Sequence, residues 1–297
     1  MSGPSLAIKA RPYLFLLPSL AMVLVFAYYP FVMALYWSLF DWDGATHARF
    51  VGLGNFKSLL FEDKTFHRAM AVVAALLLAN LVKVLTLPML AARLTFGVRR
   101  DRVRFVVQTA FVVPMVIPAV VNVLLWRFMY GPDGLINRAM SLIGIDSPTH
   151  GWLVDHPLSA IIFMGFPWIS ATAAFLLYLA GMLNIPGDVL DAARADGATG
   201  VRRFWHVELP LLRGQLRLVV VLMTLETLQS FYTILLLTRG GPGELSMVPG
   251  LHMYYRAFSY SEYGYASAIG VILFAIMMTL TLLNMRYMRG ATECEAK

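Results

Sequence analysis

Residues 185–198 read Ile185-Pro186-Gly187-Asp188-Val189-Leu190-Asp191-Ala192-Ala193-Arg194-Ala195-Asp196-Gly197-Ala198, and Phe204 and Leu209-Pro210-Leu211-Leu212 follow. The stretch is polar and lies between two long apolar runs, which makes it a connecting loop with helical character of its own. Asp188 is placed to cap a helix start, and Asp191, three residues on, to reach back toward it in a variant of the capping box. Both carboxylates suit the positive end of a helix dipole. Ala192, Ala193 and Ala195 favour helix and leave little side chain, so a second protein can approach closely. Gly197 admits a backbone conformation that residues with a Cβ resist. Pro210 ends a second short helix or redirects the chain before the next apolar run. Without a partner, the same features describe a capped helical hairpin and nothing more.

Composition places those apolar runs in a membrane. The 297 residues are 59% hydrophobic and only 14% charged, with a mean hydropathy of +0.69, whereas soluble domains carry roughly 25% charge. The single cysteine, Cys294, excludes a disulfide framework. A net charge of +7 raises the question of nucleic acid. The basic residues, however, are divided among loops flanking apolar spans, a topology signal rather than a nucleic-acid patch.

A helix crossing a bilayer needs about 20 mostly apolar residues. Six stretches qualify, approximately 13–40, 69–91, 105–129, 158–183, 218–237 and 265–288, and the expected fold is all-α with six transmembrane helices. The first contains Pro18 and Pro30 and has a short basic lead, Lys9 and Arg11. Its apolar run is too long for a cleaved signal, so it reads as a retained helix. Lysines and arginines concentrate on one side: Lys9 and Arg11, then Arg93 to Arg104, then Arg194 to Arg217, then Arg286, Arg289 and Lys297. Positive-inside reasoning places both termini and the Asp191 loop in the cytoplasm. The expected organisation is a cytoplasmic tail at 1–12, a permease domain at 13–290 holding a cytoplasmic loop at 185–212, and a cytoplasmic tail at 291–297.

The Asp191 loop resembles the one by which membrane subunits of ATP-binding-cassette importers dock into their ATPase partners. That family's pattern is E-A-A, three residues, G, and a run ending in L-P. Here Asp191 stands where the family usually has glutamate, keeping the charge on an arm one methylene shorter. The resemblance extends to Phe50-Val51-Gly52-Leu53-Gly54-Asn55-Phe56, to Leu125-Trp126-Arg127 with Gly134-Leu135-Ile136-Asn137, and to Leu237-Thr238-Arg239-Gly240-Gly241-Pro242 with Ala257-Phe258 and Gly264-Tyr265-Ala266-Ser267-Ala268. Ser246 lies near a position where the family often has threonine. These motifs are similar to those of the sugar-importing branch, of the maltose and glycerol-phosphate type. The resemblance implies a bacterial cytoplasmic-membrane permease that pairs with a second, homologous permease. It also implies two copies of a cytoplasmic ATPase, an extracytoplasmic solute-binding protein, the lipid bilayer and no nucleic acid. By the same resemblance the loop between the fourth and fifth spans holds a coupling helix, with Asp188, Asp191, Ala192, Ala193, Asp196 and Gly197 as the ATPase-coupling residues.

The chain has no G-x-x-x-x-G-K-[ST] phosphate loop, and Gly131-Pro132-Asp133-Gly134 falls on the wrong side of the membrane. The chain is therefore not expected to hydrolyse ATP itself, and the energy source is a partner or an ion gradient; the resemblance selects a partner ATPase that binds ATP and Mg and implies no cofactor in this chain. Solute-path candidates are polar residues inside spans, since such groups are costly against lipid. The fifth span is richest, with Glu226, Thr227, Gln229, Ser230 and Tyr232, and helical spacing puts Glu226, Gln229, Ser230 and Thr233 on one face. Lys83 and Asn122 join the list, together with Asn80. The alternatives are interhelical hydrogen bonding, a Glu226–Lys83 pair, or a snorkelling lysine. Trp168, Ser170 and Thr172 after Pro167 read either as an outer polar patch or as a kinked packing site. Arg127 reads as an interfacial anchor.

An ion-coupled secondary transporter is the alternative function, with Glu226 and Lys83 as the buried charges, and a channel is another. Neither explains the 185–212 pattern. An intramembrane enzyme or a metal site has less support, because His47, His67, His150, His156, His206 and His252 lie in loops without an H-E-x-x-H pair.

Overall fold

A computed structural model describes residues 6–98, 100–145, 148–165 and 172–287, with side chains from Phe15 to Arg286. The chain is predominantly helical and forms two compact units, Met1–Asp63 with His252–Phe274, and Lys64–Leu251 with Ala275–Lys297.

In the first unit, the helix Leu6–Val23 passes through a π turn, Leu24–Tyr28, into the helix Tyr29–Trp37. The π turn stands just ahead of Pro30, which has no N–H to give to a regular helix. The apolar helical stretch Phe15–Trp37 covers 23 residues. It stops short of the expected end at Phe40, because the Ser38 hydroxyl donates to Leu35 O at 2.7 Å and the chain turns into a strand. Strand Phe40–Trp42 pairs antiparallel with Ala48–Phe50. This small hairpin is the one departure from an all-helical chain among the described residues.

Hydrogen bonds around one carboxylate and one amide hold the hairpin. Asp43 Oδ1 accepts from the amides of Ala45, Thr46 and His47 at 2.9, 3.0 and 3.1 Å. The Ala45 amide first, then that of His47, holds the Asp43 carboxyl down at about 2. Asn55, in the helix Gly54–Phe61, donates its Nδ2 to Ser38 O at 2.9 Å and to Phe40 O at 2.8 Å. Trp37 stacks on Trp42 with ring centroids 3.9 Å apart. Asp63 Oδ2 accepts from His252 Nε2 and from the Tyr265 hydroxyl, both at 2.8 Å. His252 is thus a buried helical residue rather than a loop residue, because its ring has a carboxylate partner.

In the second unit, the helix Lys64–Gly97 runs 34 residues with Pro88 inside it. At a rise of 1.5 Å per residue it is about 50 Å long, more than a bilayer core needs. It packs against the helices Thr172–Leu183 and Arg213–Gln229, and their shared core includes Val84, Met89, Ala92, Phe175, Tyr178, Met182, Leu212 and Val219. Among apolar surroundings, small residues at such contacts let helices approach closely. Gly181 shows this, since a Cβ there would lie 2.6 Å from Leu212 Cδ2 and 2.8 Å from Gln215 Cδ.

The expected third and fifth spans are broken. The stretch Asp101–Val116 meets Ala119–Met129 at 90°. Pro118 explains the bend: the residue before a proline is steered from helical to extended backbone, and Ile117 has φ −70° and ψ 124°. The fifth stops at Gln229, Ser230 is extended, and a short helix resumes at Tyr232–Leu237. No proline or glycine lies at that break. Irregular backbone at membrane depth is tolerated where it lines a cavity, which Ser230 does. The fourth span is described as the helices Pro157–Phe163 and Thr172–Leu183; Pro167, Trp168 and Ser170 lie outside the described residues. Among those described, Phe15–Trp37, Lys64–Gly97 and Tyr263–Arg286 are each long and apolar enough to cross a membrane, and two bent helix pairs bring the number to at most 5.

A Cβ at Gly264 would collide with the backbone carbonyl of Phe40. Gly264→Ala is expected to destabilise the first unit by about 1–3 kcal/mol through overpacking, read as a lower midpoint of thermal unfolding in detergent. Asp43 gives a pH dependence. Its carboxyl is depressed in the folded chain, so the hairpin gains stability above the ordinary value of 3.8 and loses it as pH falls toward 2. Faster hydrogen exchange at the Ala45–His47 amides across that interval, relative to the intrinsic rate, is the expected result.

Candidate functional site

Two regions of the second unit bring the candidate residues together. The first is a cavity of ≈ 400 Å³ lined by Asn80, Lys83, Met115, Thr172, Glu226, Thr227, Ser230, Tyr232 and Thr233 among others. The helix Lys64–Gly97 supplies Asn80 and Lys83 three residues apart, and so on one face. The end of the helix Arg213–Gln229 supplies Glu226 and Thr227. The extended Ser230 then re-aims the chain so that Tyr232 and Thr233 reach the same space. Helical periodicity across Ser230 fails for this reason: the helix ends at Gln229.

Hydrogen bonds order part of this wall. Lys83 Nζ donates to Asn80 Oδ1 at 3.1 Å, and Asn80 Nδ2 donates to Thr227 Oγ1 at 3.1 Å. Thr172 closes on the protein instead, donating to Phe111 O at 2.6 Å. Glu226 and Tyr232 are exposed, and Tyr232 keeps 42% of its surface accessible. The wall thus offers an ammonium, a carboxylate, amide and hydroxyl groups and one aromatic ring, a set suited to a polyhydroxylated solute. Gln229 and Asn122 are not among the lining residues. Gln229 Nε2 instead donates to Met277 Sδ at 3.6 Å, and Asn122 is half-buried on the helix Ala119–Met129. Arg127 on that same helix donates to Leu236 O at 3.1 Å.

The second region is the helix Gly187–Ala195 and the segment after it. Asp188, Asp191, Ala192, Asp196 and Gly197 are exposed, while Ala193 is buried. The capping expectation requires correction: the N-cap is Pro186, no side chain caps the helix, and Asp188 sits in its first turn. Proline has no side-chain acceptor, so the carboxylates act there only through the helix dipole. Asp191 pairs with Arg194 at 2.5 Å. The far end closes with two backbone bonds, Ala198 N to Ala193 O at 2.8 Å and Gly197 N to Arg194 O at 3.0 Å. This is a Schellman motif with glycine at its left-handed position, and Gly197 has φ +73°. Nothing lies within 4 Å of a Cβ built on Gly197, so its surroundings are open for a partner.

Sequence reasoning missed one residue in this region. Glu208 has no accessible surface. Its Oε1 accepts from Arg203 Nε at 2.7 Å, and its Oε2 meets Arg93 Nε. The π turn Phe204–Glu208 explains the first contact, because backbone bonds that span five residues align side chains five apart. That turn also stands just ahead of Pro210, which therefore begins a short helical turn, Leu209–Leu211, rather than ending one. The spacing Arg203 to Glu208 is visible in the sequence, but Arg93 as the second partner is not. Ser246, near the position where the family often has threonine, is fully buried, with its Oγ 2.7 Å from Thr238 Oγ1 and donating to Gly241 O at 2.8 Å. A hydroxyl is what that site uses, and serine supplies it. Among the described residues no group of three or more His, Cys, Asp or Glu side chains gathers to hold a metal.

Comparison with known proteins places this geometry. The family model described as "Binding-protein-dependent transport system inner membrane component" matches residues 84–290. The probable ABC transporter permease protein YurN of Bacillus subtilis is 34% identical over 291 residues, covering 96% of this chain and 98% of that protein. The trehalose/maltose transport system permease protein MalF of Thermococcus litoralis is 31% identical, with 92% of each chain covered. In the crystal structure of a bacterial alginate ABC transporter in complex with alginate pentasaccharide-bound periplasmic protein, one chain shares the fold, with a TM-score of 0.82 over 96% of this chain and 97% of that chain at 23% identity. Permeases of this family are transport subunits rather than enzymes, and ATP hydrolysis belongs to a separate subunit. An apolar helical chain with a polar cavity, matched to the family model over most of its length, is a binding-protein-dependent transport system inner membrane component, and this chain belongs to that family.

Proposed function

We propose that this permease forms half of the translocation path for a sugar or sugar-like solute in an ATP-driven importer. In this reading six spans cross the bacterial cytoplasmic membrane, both termini are cytoplasmic, and the 185–212 loop faces the cell interior. A second, homologous permease completes the path. Two copies of an ATPase bind below, with ATP and Mg in those subunits, and an extracytoplasmic binding protein delivers the solute. Closure of the ATPase dimer pushes the Gly187–Ala195 helix, and the cavity alternates between inward- and outward-facing arrangements by rigid-body rotation between two packings. Hydrolysis resets it.

The observation that carries this reading is the exposed, glycine-closed helix Gly187–Ala195, with Asp188, Asp191, Ala192, Asp196 and Gly197 all on accessible surface. The cavity supports the solute class. Carboxylate, amide and hydroxyl groups bind sugar hydroxyls, and Tyr232 is placed to stack on a ring. The trehalose/maltose and alginate transport proteins among the similar chains point the same way. Lys83 extends the class to anionic sugars or sugar phosphates.

Three variants test this. Gly197→Asp forces a Cβ into a positive-φ site, at a cost of about 1–2 kcal/mol, and adds an anion to the docking surface. By shifting the backbone at the helix end and adding the anion, the variant should lower the ATPase that co-purifies with the gently solubilised permease, about tenfold for every 1.4 kcal/mol lost at the contact, while membrane insertion is retained. Undiminished ATPase recovery would count against docking here. Glu226→Gln and Tyr232→Ala address the cavity. Loss of a hydrogen bond to a charged group costs about 1.5–3 kcal/mol. Glu226→Gln should therefore lower uptake of labelled oligosaccharides, chosen by screening the co-purified binding protein, about tenfold or more at limiting concentration, and Tyr232→Ala should lower it through loss of the stacking surface. Uptake that persists without ATP and collapses with the ion gradient would favour a secondary transporter instead.

A further inference from the structure

The ion cluster at Glu208 joins one helix that lines the cavity to the segment that follows the exposed Gly187–Ala195 helix, and that segment continues directly into the second lining helix. Arg93 is on the helix Lys64–Gly97, ten residues after Lys83, or about 15 Å along the axis. Arg203 lies in the short helix Gly200–Arg203, and Glu208 ends the π turn that leads, through Leu212, into the helix carrying Glu226 and Thr227. Leu212 is itself fully buried, and its amide donates to Glu208 O at 3.1 Å. The carboxylate therefore fastens the segment that follows the exposed helix to the helix Lys64–Gly97, and the Glu208 backbone runs directly on into the helix Arg213–Gln229.

Stability alone is a weak reason for such an arrangement, because apolar side chains of similar volume hold buried sites at least as well as ion pairs do. The charge-assisted hydrogen bond from Arg203 to Oε1 adds direction, and the Arg93 ion pair at Oε2 adds a buried charge attraction across the helix contact. Together they resist separation of the segment from the helix Lys64–Gly97 as a greasy contact does not. Arg93 and Arg203 keep only 18% and 15% of their side-chain surface accessible, so water screens the cluster little.

We propose that Glu208, clasped by Arg93 and Arg203, is the positioning residue that transmits displacement of the Gly187–Ala195 helix to the cavity walls. The inference rests on the docking reading of that helix. Without the clasp the ATPase still docks and closes, but the cavity does not follow.

The test reads cavity motion without needing the natural solute. The complete complex, carrying Cys294→Ser and the reporter Thr233→Cys, is reconstituted into vesicles and probed with a membrane-impermeant maleimide on the external side. ATP with vanadate traps the closed ATPase, and labelling of the reporter should rise as the cavity opens outward. In Glu208→Gln, which keeps the shape and removes the charge, that rise should shrink roughly fivefold or more, the lower end of ordinary coupling effects. Vanadate-trapped nucleotide per complex should be unchanged. An undiminished rise with normal trapping would overturn the inference. If Glu208→Gln does not assemble, Arg93→Lys keeps the charge and loses the guanidinium geometry, and an undiminished rise there overturns the inference equally. Gly197→Asp separates the two levels. If it abolishes the response while Glu208→Gln retains it, only the clasp fails; if Gly197→Asp also retains the response, the docking reading fails with it.

Discussion

Where the helix Thr172–Leu183 meets the start of the helix Arg213–Gln229, Gly181 leaves no room for even a methyl group against Leu212 and Gln215. Apolar tails surround such helices as readily as other helices do, so burial of apolar surface gives little drive to associate. Close packing and interhelical polar contacts must supply it. The three-helix contact centred on Val84, Phe175, Tyr178, Met182 and Leu212 does this by interdigitation, with the Phe111 ring stacked on Phe175 at 4.2 Å. Both candidate regions of the second unit depend on that contact. It sets Asn80 and Lys83 beside Thr227 at one level and Arg93 beside Glu208 at another.

The same surroundings govern where helices break. Backbone groups released inside hydrocarbon find no water, so irregular backbone persists only where protein or a cavity satisfies it. The interruption at Ser230 opens onto the polar cavity and turns Tyr232 and Thr233 toward it. The two π turns, at Leu24–Tyr28 and Phe204–Glu208, stand directly before Pro30 and Pro210 and accommodate the missing N–H donors without ending the helical path. The second of these turns also brings Arg203 to Glu208. A local answer to a proline thereby creates half of an ion cluster.

The segment 187–208 combines exposed and buried demands in one connection. Its helix presents carboxylates and alanine to solvent and closes on a glycine whose left-handed backbone is satisfied by two hydrogen bonds. Eleven residues after Gly197 the chain buries Glu208 completely. For the docking role proposed above, an open surface built on a fixed base is what a contact needs if it is to receive a push rather than merely hold a partner.

Composition and hydropathy alone showed that this chain belongs in a membrane, because a span needs a contiguous run of apolar residues and such a run is a one-dimensional property. The Asp191–Gly197 pattern was equally legible, since a helix closed by a left-handed glycine is specified by neighbours in sequence. The polar residues Glu226, Thr227, Ser230 and Tyr232 could also be singled out along the chain. Tertiary structure decided the rest. Gln229 faces Met277 and not the cavity, because the helix ends there and the 3.6-residue period no longer applies. The hairpin at Phe40–Phe50 depends on which backbone groups find partners. Glu208 finds its second partner in Arg93, 115 positions earlier in the chain, and a contact between residues that far apart exists only once the helices have packed.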